Sequence, residues 1–271
     1  MKEFKSFYKE VAGNEGTKCR YNVRLDTYGC GCQHDCSYCY AKSLLDFRNL
    51  WDAVTPSVAD LAKIERKIAR LEPRTVIRLG GMTDCFQPLE KEMQITRGTI
   101  MLLNKYGIEY LIVTKSDLIC EYMDILDKRL AHIQISTTWI PCEKAVSTER
   151  RIKAIETLHK AGFDVAVRLS PFVPQFVDFE RLNGIDCEKI IVEFLRVNHW
   201  IKKWLPLDYS EYTEKQSGYE HLPLSKKIEY LSRVTGFNEV SICEDVTEHY
   251  EYWKEAVNFN KEDCCNLRKR N

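Results

Sequence analysis

Short β-branched runs alternate with helical segments from about residue 74 onward, and this alternation limits the possible folds more than any other feature of the chain. Such runs begin near residues 75, 109, 132, 164 and 188, and an earlier one covers Tyr21 to Thr27. In "TERRIKAIETLHKAG", Ile152, Ile155 and Leu158 share one face and a glycine follows, as expected of a helix and its end. Strands that alternate with helices form right-handed βαβ units and a parallel sheet. Six units are too few for a closed eight-stranded barrel, so the sequence predicts an α/β fold, a partial (β/α)6 barrel of TIM type.

The predicted barrel core takes residues 1–197, with an amino-terminal arm before about residue 21. Residues 198–271 are predicted to form a carboxy-terminal extension packed on the barrel, and its first part, rich in charged and aromatic residues, predicts an insertion or lid. The run from Asn238 to Cys243 predicts a late strand that either adds to the sheet or lies within the extension. The segment "DLICEYMDILDKRL" predicts a helix with Ser116 as its N-cap.

Charge and cysteine content narrow the class of protein. Lys+Arg and Asp+Glu both number 40, so the formal net charge is zero, whereas a protein that depends on many phosphate contacts is usually basic. The amino terminus has no apolar run of signal-peptide type, and no segment reaches the length of a membrane span, so we expect a cytoplasmic protein with no membrane partner. Thiols stay reduced in that compartment, and the twelve cysteines therefore favour a metal, a cluster or thiol chemistry over a disulfide framework.

Four of these cysteines lie in one loop, "YGCGCQHDCSYCYAK", directly after the first predicted strand. Cys32, Cys36 and Cys39 form the spacing C-x3-C-x2-C, and Cys30 lies just upstream. In barrels of this type, functional sites lie at the carboxyl ends of the strands. Thiolates this close together suit a metal, and three of them leave one iron of a four-iron cluster with an open position. The alternative is a structural zinc ion held by all four thiols.

The same spacing, with Tyr38 just before the third cysteine, resembles the signature of radical S-adenosylmethionine (SAM) enzymes. The resemblance implies a [4Fe–4S] cluster on Cys32, Cys36 and Cys39, with SAM bound at the fourth iron. It implies that the reduced cluster cleaves SAM to a 5′-deoxyadenosyl radical, which abstracts hydrogen from a substrate. This chemistry needs a reductase or an electron donor of flavodoxin or ferredoxin type as a partner. Cys30 is then a packing residue or a spare thiol.

The segments "YCYAK", "TDCFQPLE" and "TKS" resemble the spore photoproduct lyase-like group of that superfamily. The resemblance implies that a glycine turn and Thr83 contact the methionine amino group of SAM, and that Lys115 binds its carboxylate. Glycine lets backbone approach a ligand closely, and a lysine ending a buried strand is costly unless an anion meets it. The complete set of predicted SAM contacts is Tyr38, Gly80, Gly81, Thr83, Asp84, Lys115, Ser136 and Arg168.

Several of these residues also have ordinary structural interpretations. Thr83 and Asp84 fit the entry turn of a helix, and Lys115 fits a strand-end lysine that extends to solvent. Arg168 either binds a carboxylate or phosphate of a ligand or pairs with an internal acid such as Glu193. His34 and Asp35 of the cysteine loop are expected to face solvent.

One departure from the lyase-like group concerns the hydrogen donor. In the lyase, a hydrogen-donating cysteine lies just before the segment that matches "MTD", where this chain has Gly81. Repair of thymine photoproducts by the lyase's route is therefore not expected. Cys85, the nearest thiol, is either a hydrogen donor to a product radical or a buried wall residue. Tyr40, which flanks the third cluster cysteine as in the lyase, is a candidate in radical transfer.

Two functions of different class remain. The first is a radical SAM enzyme acting on a nucleic acid, a peptide or a small molecule, although the neutral net charge does not support nucleic acid. The second is a non-catalytic zinc or Fe–S sensor or scaffold, which gives no role to Lys115 or Thr83. Near the end of the chain, Cys264 and Cys265 have only Cys19 and Cys243 left to recruit, and no sequence feature places these nearby, so we expect one cluster.

Overall fold

The computed structural model describes residues 8–10, 17–141 and 144–268, so most of the predicted amino-terminal arm lies outside the described residues. In chain order the strands are β1 (Tyr8–Glu10), β2 (Val23–Leu25), β3 (Tyr28–Gly29), β4 (Ser57–Val58), β5 (Val76–Leu79), β6 (Glu109–Thr114), β7 (Ala131–Ser136), β8 (Asp164–Phe172), β9 (Lys189–Phe194), β10 (Glu214–Gln216), β11 (Tyr219–His221) and β12 (Glu239–Ile242). The α-helices cover Tyr40–Leu45, Leu61–Ile68, Glu90–Met93, Ile95–Tyr106, Thr148–Lys160, Phe179–Asn183, His199–Trp204, Leu224–Leu231 and Thr247–Ala256, and 3-10 helices cover Asp46–Arg48 and Asp117–Tyr122.

Eight strands form one sheet in the order β1-β2-β5-β6-β7-β8-β9-β12. From β2 to β12 every neighbouring pair is parallel, and β1 runs antiparallel beside β2. Parallel neighbours in chain order are what right-handed βα units produce. The predicted partial barrel of TIM type is confirmed, and the late strand adds to the sheet beside β9.

The two faces of the sheet differ in character because side chains alternate along each strand. On β6, Tyr110 and Ile112 pack in the main hydrophobic core, which includes the apolar faces of the surrounding helices. Leu111, between them, lies in a smaller cluster on the inner face. The inner face also carries Arg168 and Glu193, which border a cavity. The barrel interior is therefore polar and leaves room for a site.

The segment after Ser116 differs from the prediction. Ser116 does cap the backbone amide of Leu118, at 3.3 Å, but the helix is the short 3-10 helix Asp117–Tyr122 and not a long α-helix. Beyond it, the side-chain amide of Asn104 donates to the carbonyl of Ile125 at 2.6 Å. This backbone carbonyl is thus satisfied by a neighbouring helix and not within its own segment.

Residues after 197 pack beside the cysteine loop. The side-chain amide of Asn198 donates to Ser43 Oγ at 3.0 Å, and the Lys42 ammonium lies 4.9 Å from the ring centre of Trp204. Strand β12, from the predicted extension, belongs to the barrel sheet, and the division at residue 197 stays a prediction. Across the described part of the chain, no helix combines the length and apolar character needed to cross a membrane.

Candidate active site

The cysteine loop leads from β3 into the helix Tyr40–Leu45. A tight turn, in which the Cys39 amide donates to the Cys36 carbonyl at 3.2 Å, precedes that helix. Cys32, Cys36 and Cys39 all line one cavity of about 290 Å³. Cys30 is half-buried and is not one of the described residues that line this cavity. The structure therefore brings the three predicted ligands together and leaves the fourth thiol outside.

The three cavity cysteines fit a cluster better than a single ion. Their sulfurs are not all within 4.8 Å of one another, whereas a tetrahedral zinc ion with Zn–S bonds of about 2.3 Å holds its sulfurs roughly 3.8 Å apart. Burial raises the pKa of the Cys32 thiol to about 12, so this sulfur ionises only where a cation offsets the loss of water. Three thiols on one cavity wall are a donor set that fits an iron–sulfur cluster.

The glycine turn after β5 is shaped by close packing and by Asp26, which sequence reasoning missed. Gly80 has φ of +81°, and a Cβ there would lie 2.7 Å from the carbonyl oxygen of Val113. The Asp26 carboxylate Oδ1 accepts hydrogen bonds from three successive amides, Gly81 to Thr83, at 2.8, 2.9 and 3.2 Å. Asp26 directly follows β2, which pairs with β5. This position after a strand was the one sequence feature that could have identified Asp26 as a site residue.

Thr83 and Asp84 line the cavity and also hold its wall together. The Thr83 hydroxyl donates to the Tyr28 carbonyl at 2.6 Å, and Asp84 Oδ2 accepts the Lys115 amide at 2.6 Å. His34 was expected to face solvent and is instead buried, with Nε2 3.2 Å from Asp84 Oδ2. Burial raises the pKa of Asp84, but the His34 imidazole and the hydrogen bonds outweigh burial and hold it below its ordinary value.

Asp35, also expected to face solvent, is half-buried between two ammonium groups. It lies 2.8 Å from Lys42 Nζ and 2.9 Å from Lys144 Nζ. These contacts fix the outer side of the cysteine loop.

Lys115 directly follows β6 and lines the cavity. Its ammonium donates to Ser136 Oγ at 2.6 Å and lies 3.4 Å from the carbonyl oxygen of Ser170 and 5.0 Å from the ring centre of Tyr38. All of these partners are uncharged, and among the described residues no carboxylate forms an ion pair with Lys115. A cation held this way is complementary to an anionic ligand.

Arg168, at the inner face of β8, pairs with an internal acid, as one of its two interpretations predicted. Its guanidinium donates to Glu193 Oε2 and to Gln134 Oε1, at 2.6 and 2.7 Å. Although burial opposes the effect, Arg168 and then Arg196 lower the pKa of Glu193 to about 2. Arg168 still borders the cavity, but its charge is already matched.

The two candidates for radical chemistry have different surroundings. Tyr40 lines the cavity, donates its hydroxyl hydrogen to the carbonyl of Gly81, and has the Arg196 guanidinium 4.7 Å from its ring centre. Burial raises the pKa of Tyr40, so the hydroxyl keeps its proton. Cys85 is 1% exposed within the main core and does not appear among the described cavity-lining residues. This placement matches the buried wall residue, and hydrogen donation by Cys85 stays a prediction without structural support.

A sequence model of the Radical SAM superfamily matches residues 27–182, more than half of the chain. The Uncharacterized protein MJ0683 of Methanocaldococcus jannaschii is 29% identical over 168 residues, which are 57% of this chain and 62% of that protein. The match thus spans less than two thirds of that relative's length.

Solved structures share the fold. Spore photoproduct lyase complexed with dinucleoside spore photoproduct has a TM-score of 0.62 at 15% identity, covering 89% of this chain and 80% of the lyase. Native anSMEcpe with bound AdoMet has a TM-score of 0.51 at 16% identity, covering 81% of this chain and 63% of that one. At these identities the likeness establishes the fold alone. The family match covers the three cavity cysteines and the strands that surround them, and the chain belongs to the radical SAM superfamily.

Proposed function

We propose that the chain is a radical SAM enzyme in which Cys32, Cys36 and Cys39 hold a [4Fe–4S] cluster at the cavity wall. When bound and reduced, such a cluster supplies the electron that cleaves SAM to methionine and a 5′-deoxyadenosyl radical, which takes a hydrogen atom from the substrate. The observation that carries the proposal is the convergence of these three thiols and the Lys115 ammonium, which has only neutral partners, on one cavity. A non-catalytic sensor or scaffold would give that ammonium no role.

SAM binding is proposed to depend on one ion pair and on close backbone approach. Lys115 pairs with the methionine carboxylate, and Ser136 orients the ammonium through their 2.6 Å hydrogen bond. The glycine turn, fixed by Asp26, lets backbone reach the methionine amino group. The remaining proposed contacts line the same cavity: Tyr38, Gly80, Gly81, Thr83, Asp84 and Arg168.

The substrate is proposed to bind in the remainder of the cavity, next to Tyr40, the candidate for radical transfer. Among the described residues, the lining carries both signs of charge: six cationic side chains (Lys18, Arg24, Arg78, Lys115, Arg168 and Arg196) and four carboxylates (Asp84, Glu193, Glu244 and Asp245). This mixture, together with a formal net charge of zero, supports a small polar molecule or a peptide over a long polyanion such as nucleic acid. A flavodoxin- or ferredoxin-type donor, or a reductase, is the proposed source of electrons, in the cytoplasm.

Anaerobic reconstitution tests the proposal. The chain is loaded with iron and sulfide, reduced with dithionite and given SAM, and 5′-deoxyadenosine is measured by liquid chromatography. We expect the wild-type chain to form 5′-deoxyadenosine and Cys36→Ala to form none. Cys120→Ala, which alters a half-buried thiol outside the cavity, is the matched control and should keep the activity. A wild-type chain that takes up zinc at Cys32, Cys36 and Cys39 and forms no 5′-deoxyadenosine would contradict the proposal.

Lys115→Gln provides a second arm of the same experiment. Loss of a charged hydrogen bond costs about 1.5–3 kcal/mol, so SAM affinity should fall by about tenfold to a hundredfold while the absorbance of the cluster stays unchanged. Unchanged affinity would remove Lys115 from the site without affecting the cluster assignment.

A further inference from the structure

A second group of cysteines lies apart from the cysteine loop. Cys19 precedes β2, Cys243 follows β12, and Cys264 and Cys265 lie near the end of the described chain. The sulfurs of Cys19, Cys264 and Cys265 all lie within 4.8 Å of one another, and those of Cys19 and Cys264 are 3.5 Å apart. Cys243 borders the same cavity as Cys19 and Cys264. The sequence contains no feature that places Cys19 and Cys243 near Cys264 and Cys265, and in the structure three distant segments bring these thiols to one region.

Backbone hydrogen bonds hold the carboxy-terminal pair in place. The buried Asp263 carboxylate accepts the amides of Arg20, Cys265 and Leu267, each at 3.0 Å. The amide of Cys264 donates to the carbonyl of Lys18, also at 3.0 Å. The two cysteines are thus fixed against the segment that carries Cys19, and the position of the sulfurs does not depend on a flexible tail.

The carboxy-terminal pair, with Cys19, lies toward the floor of the barrel, whereas Cys243 follows β12 at its carboxyl end. The residues that follow the pair cross the amino ends of the strands, where the Arg268 amide reaches Asp164 at 3.2 Å and the side-chain amide of Asn266 reaches Glu239 at 2.7 Å. The cysteine loop lies at the opposite, carboxyl ends. Both groups nevertheless border one cavity, whose lining includes Cys19, Cys243 and Cys264 as well as Cys32, Cys36 and Cys39.

Two cationic side chains border the same cavity as these thiols. Arg78 and Arg168 line it together with Cys19, Cys243 and Cys264. Cations near such a site help to balance the net negative charge of a divalent ion bound by four thiolates.

We propose that Cys19, Cys264 and Cys265, with Cys243 of the same cavity as the fourth ligand, form a second metal centre, a thiolate site for a thiophilic metal in the cavity wall. A tetrahedral Zn²⁺ site holds its sulfurs roughly 3.8 Å apart, and the sulfurs of Cys19, Cys264 and Cys265 already lie within 4.8 Å of one another. An iron–sulfur cluster uses the same four thiolates but requires them to move apart, because irons and sulfides lie between them. The site does not depend on the radical chemistry proposed above, since none of its ligands belongs to the cysteine loop.

Two other uses of these cysteines explain less. A disulfide has an S–S bond of about 2.05 Å, much shorter than the 3.5 Å between Cys19 and Cys264. Packed thiols behave as small apolar side chains, and packing alone does not require three sulfurs within 4.8 Å of one another. A bound metal accounts for that convergence.

Metal analysis of the full chain with Cys32→Ala, Cys36→Ala and Cys39→Ala tests the proposal, because the cysteine loop can then bind nothing. This variant is loaded anaerobically with Zn²⁺ alone or with Fe²⁺ and sulfide, and metal is counted by mass spectrometry. We expect about one zinc per chain if a single ion is bound, or about four irons with matching sulfide if a cluster forms, and either result supports the site. Metal at background level in both arms would overturn it.

Ligand variants then locate the metal. Adding Cys264→Ser and Cys265→Ser to the triple variant should reduce bound metal at least about tenfold, as expected when thiolate ligands are lost. Cys120→Ser and Cys187→Ser, at thiols outside both groups, should leave it unchanged. Metal that persists in the serine variant would overturn the assignment.

Should the serine variant fail to fold, Co²⁺ titration of the triple variant decides the question without it. Thiolate-to-cobalt charge-transfer absorption that Zn²⁺ abolishes supports the site, and its absence at saturating Co²⁺ overturns the proposal.

Discussion

Gly80 and Gly162 have nearly the same backbone conformation in different surroundings. Their φ angles are +81° and +82°. A Cβ at Gly80 would lie 2.7 Å from the Val113 carbonyl oxygen, whereas a Cβ at Gly162 would meet nothing within 4 Å. The pair therefore separates the cost of a left-handed conformation from the cost of close packing at the cavity wall.

We expect Gly162→Ala to lower the free energy of unfolding by about 1 kcal/mol, the cost of the left-handed conformation alone. Gly80→Ala should cost about 3 kcal/mol, because the backbone must also move away from Val113. Urea unfolding followed by circular dichroism measures both. Equal losses in the two variants would show that the close approach at Gly80 has no energetic weight.

Site residues differ in how far sequence alone can identify them. Cys32, Cys36 and Cys39 are identified by local spacing, and the structure places all three at one cavity. Asp26 was missed because its partners, the amides of the glycine turn, lie on another strand. A single carboxylate after a strand can have many roles. Asp26 can bind the amides of the glycine turn only because β2 pairs with β5.

Among the elements, the amino ends of β6, β7 and β8 share one buried ionic group. His132 of β7 lies 2.5 Å from Asp164 through Nδ1 and 3.3 Å from Glu109 through Nε2. Each of these carboxylates also meets a second cation. Lys189 lies 2.7 Å from Asp164, and Arg20 lies 2.9 Å from Glu109. Burial lowers the pKa of His132, but the hydrogen bonds to Asp164 and Glu109 outweigh burial and raise it above the ordinary value.

This group should make stability depend on pH. Because the folded-state pKa of His132 is raised, its charged form stabilises the fold fully below the unfolded pKa of about 6.5, and the contribution is lost as pH rises through the folded pKa. The difference in free energy of unfolding between wild type and His132→Gln should be largest near pH 6 and shrink toward pH 9. Unfolding curves across that range measure it, with exposed His199→Gln as the control. A difference that does not change with pH would contradict a charged His132.

Helices and strands could be predicted where the sequence signals that define them are local. The helix Thr148–Lys160 has an apolar stripe and a following glycine, and it forms as predicted. The helix expected after Ser116 is only the short 3-10 helix Asp117–Tyr122, and beyond it the Ile125 carbonyl accepts a hydrogen bond from Asn104 of another helix. The pattern of apolar residues in that segment does not predict a contact with Asn104, which lies on another helix.

At the scale of the whole molecule, the carboxy-terminal segment closes the barrel floor. No local sequence signal predicts that path. Cys19 and Cys264 are 245 positions apart in sequence and 3.5 Å apart in space. Strand order follows from alternation and handedness, but the path of a segment outside the βα repeat is fixed only by its partners in the folded chain. The spatial grouping of these cysteines therefore could not be predicted from the sequence, although each cysteine could be identified in it.

Asp263 joins the two ends of the described chain, so its loss should loosen both. Its carboxylate accepts the Arg20 amide before the first barrel strand and the Cys265 and Leu267 amides in the closing segment. Asp263→Ala leaves three backbone amides without their acceptor, at a cost of about 2–4 kcal/mol. We expect faster amide hydrogen exchange in residues 17–21 as well as 263–268, measured by mass spectrometry.

Lys261→Ala is the matched control, because it removes only an exposed ion pair with Glu255, which contributes little to stability. It should leave exchange in both segments unchanged. Faster exchange confined to residues 263–268 in Asp263→Ala would mean that the first segment is held independently by the sheet. Faster exchange in both segments would mean that one buried carboxylate couples them, and that the barrel floor opens as a unit.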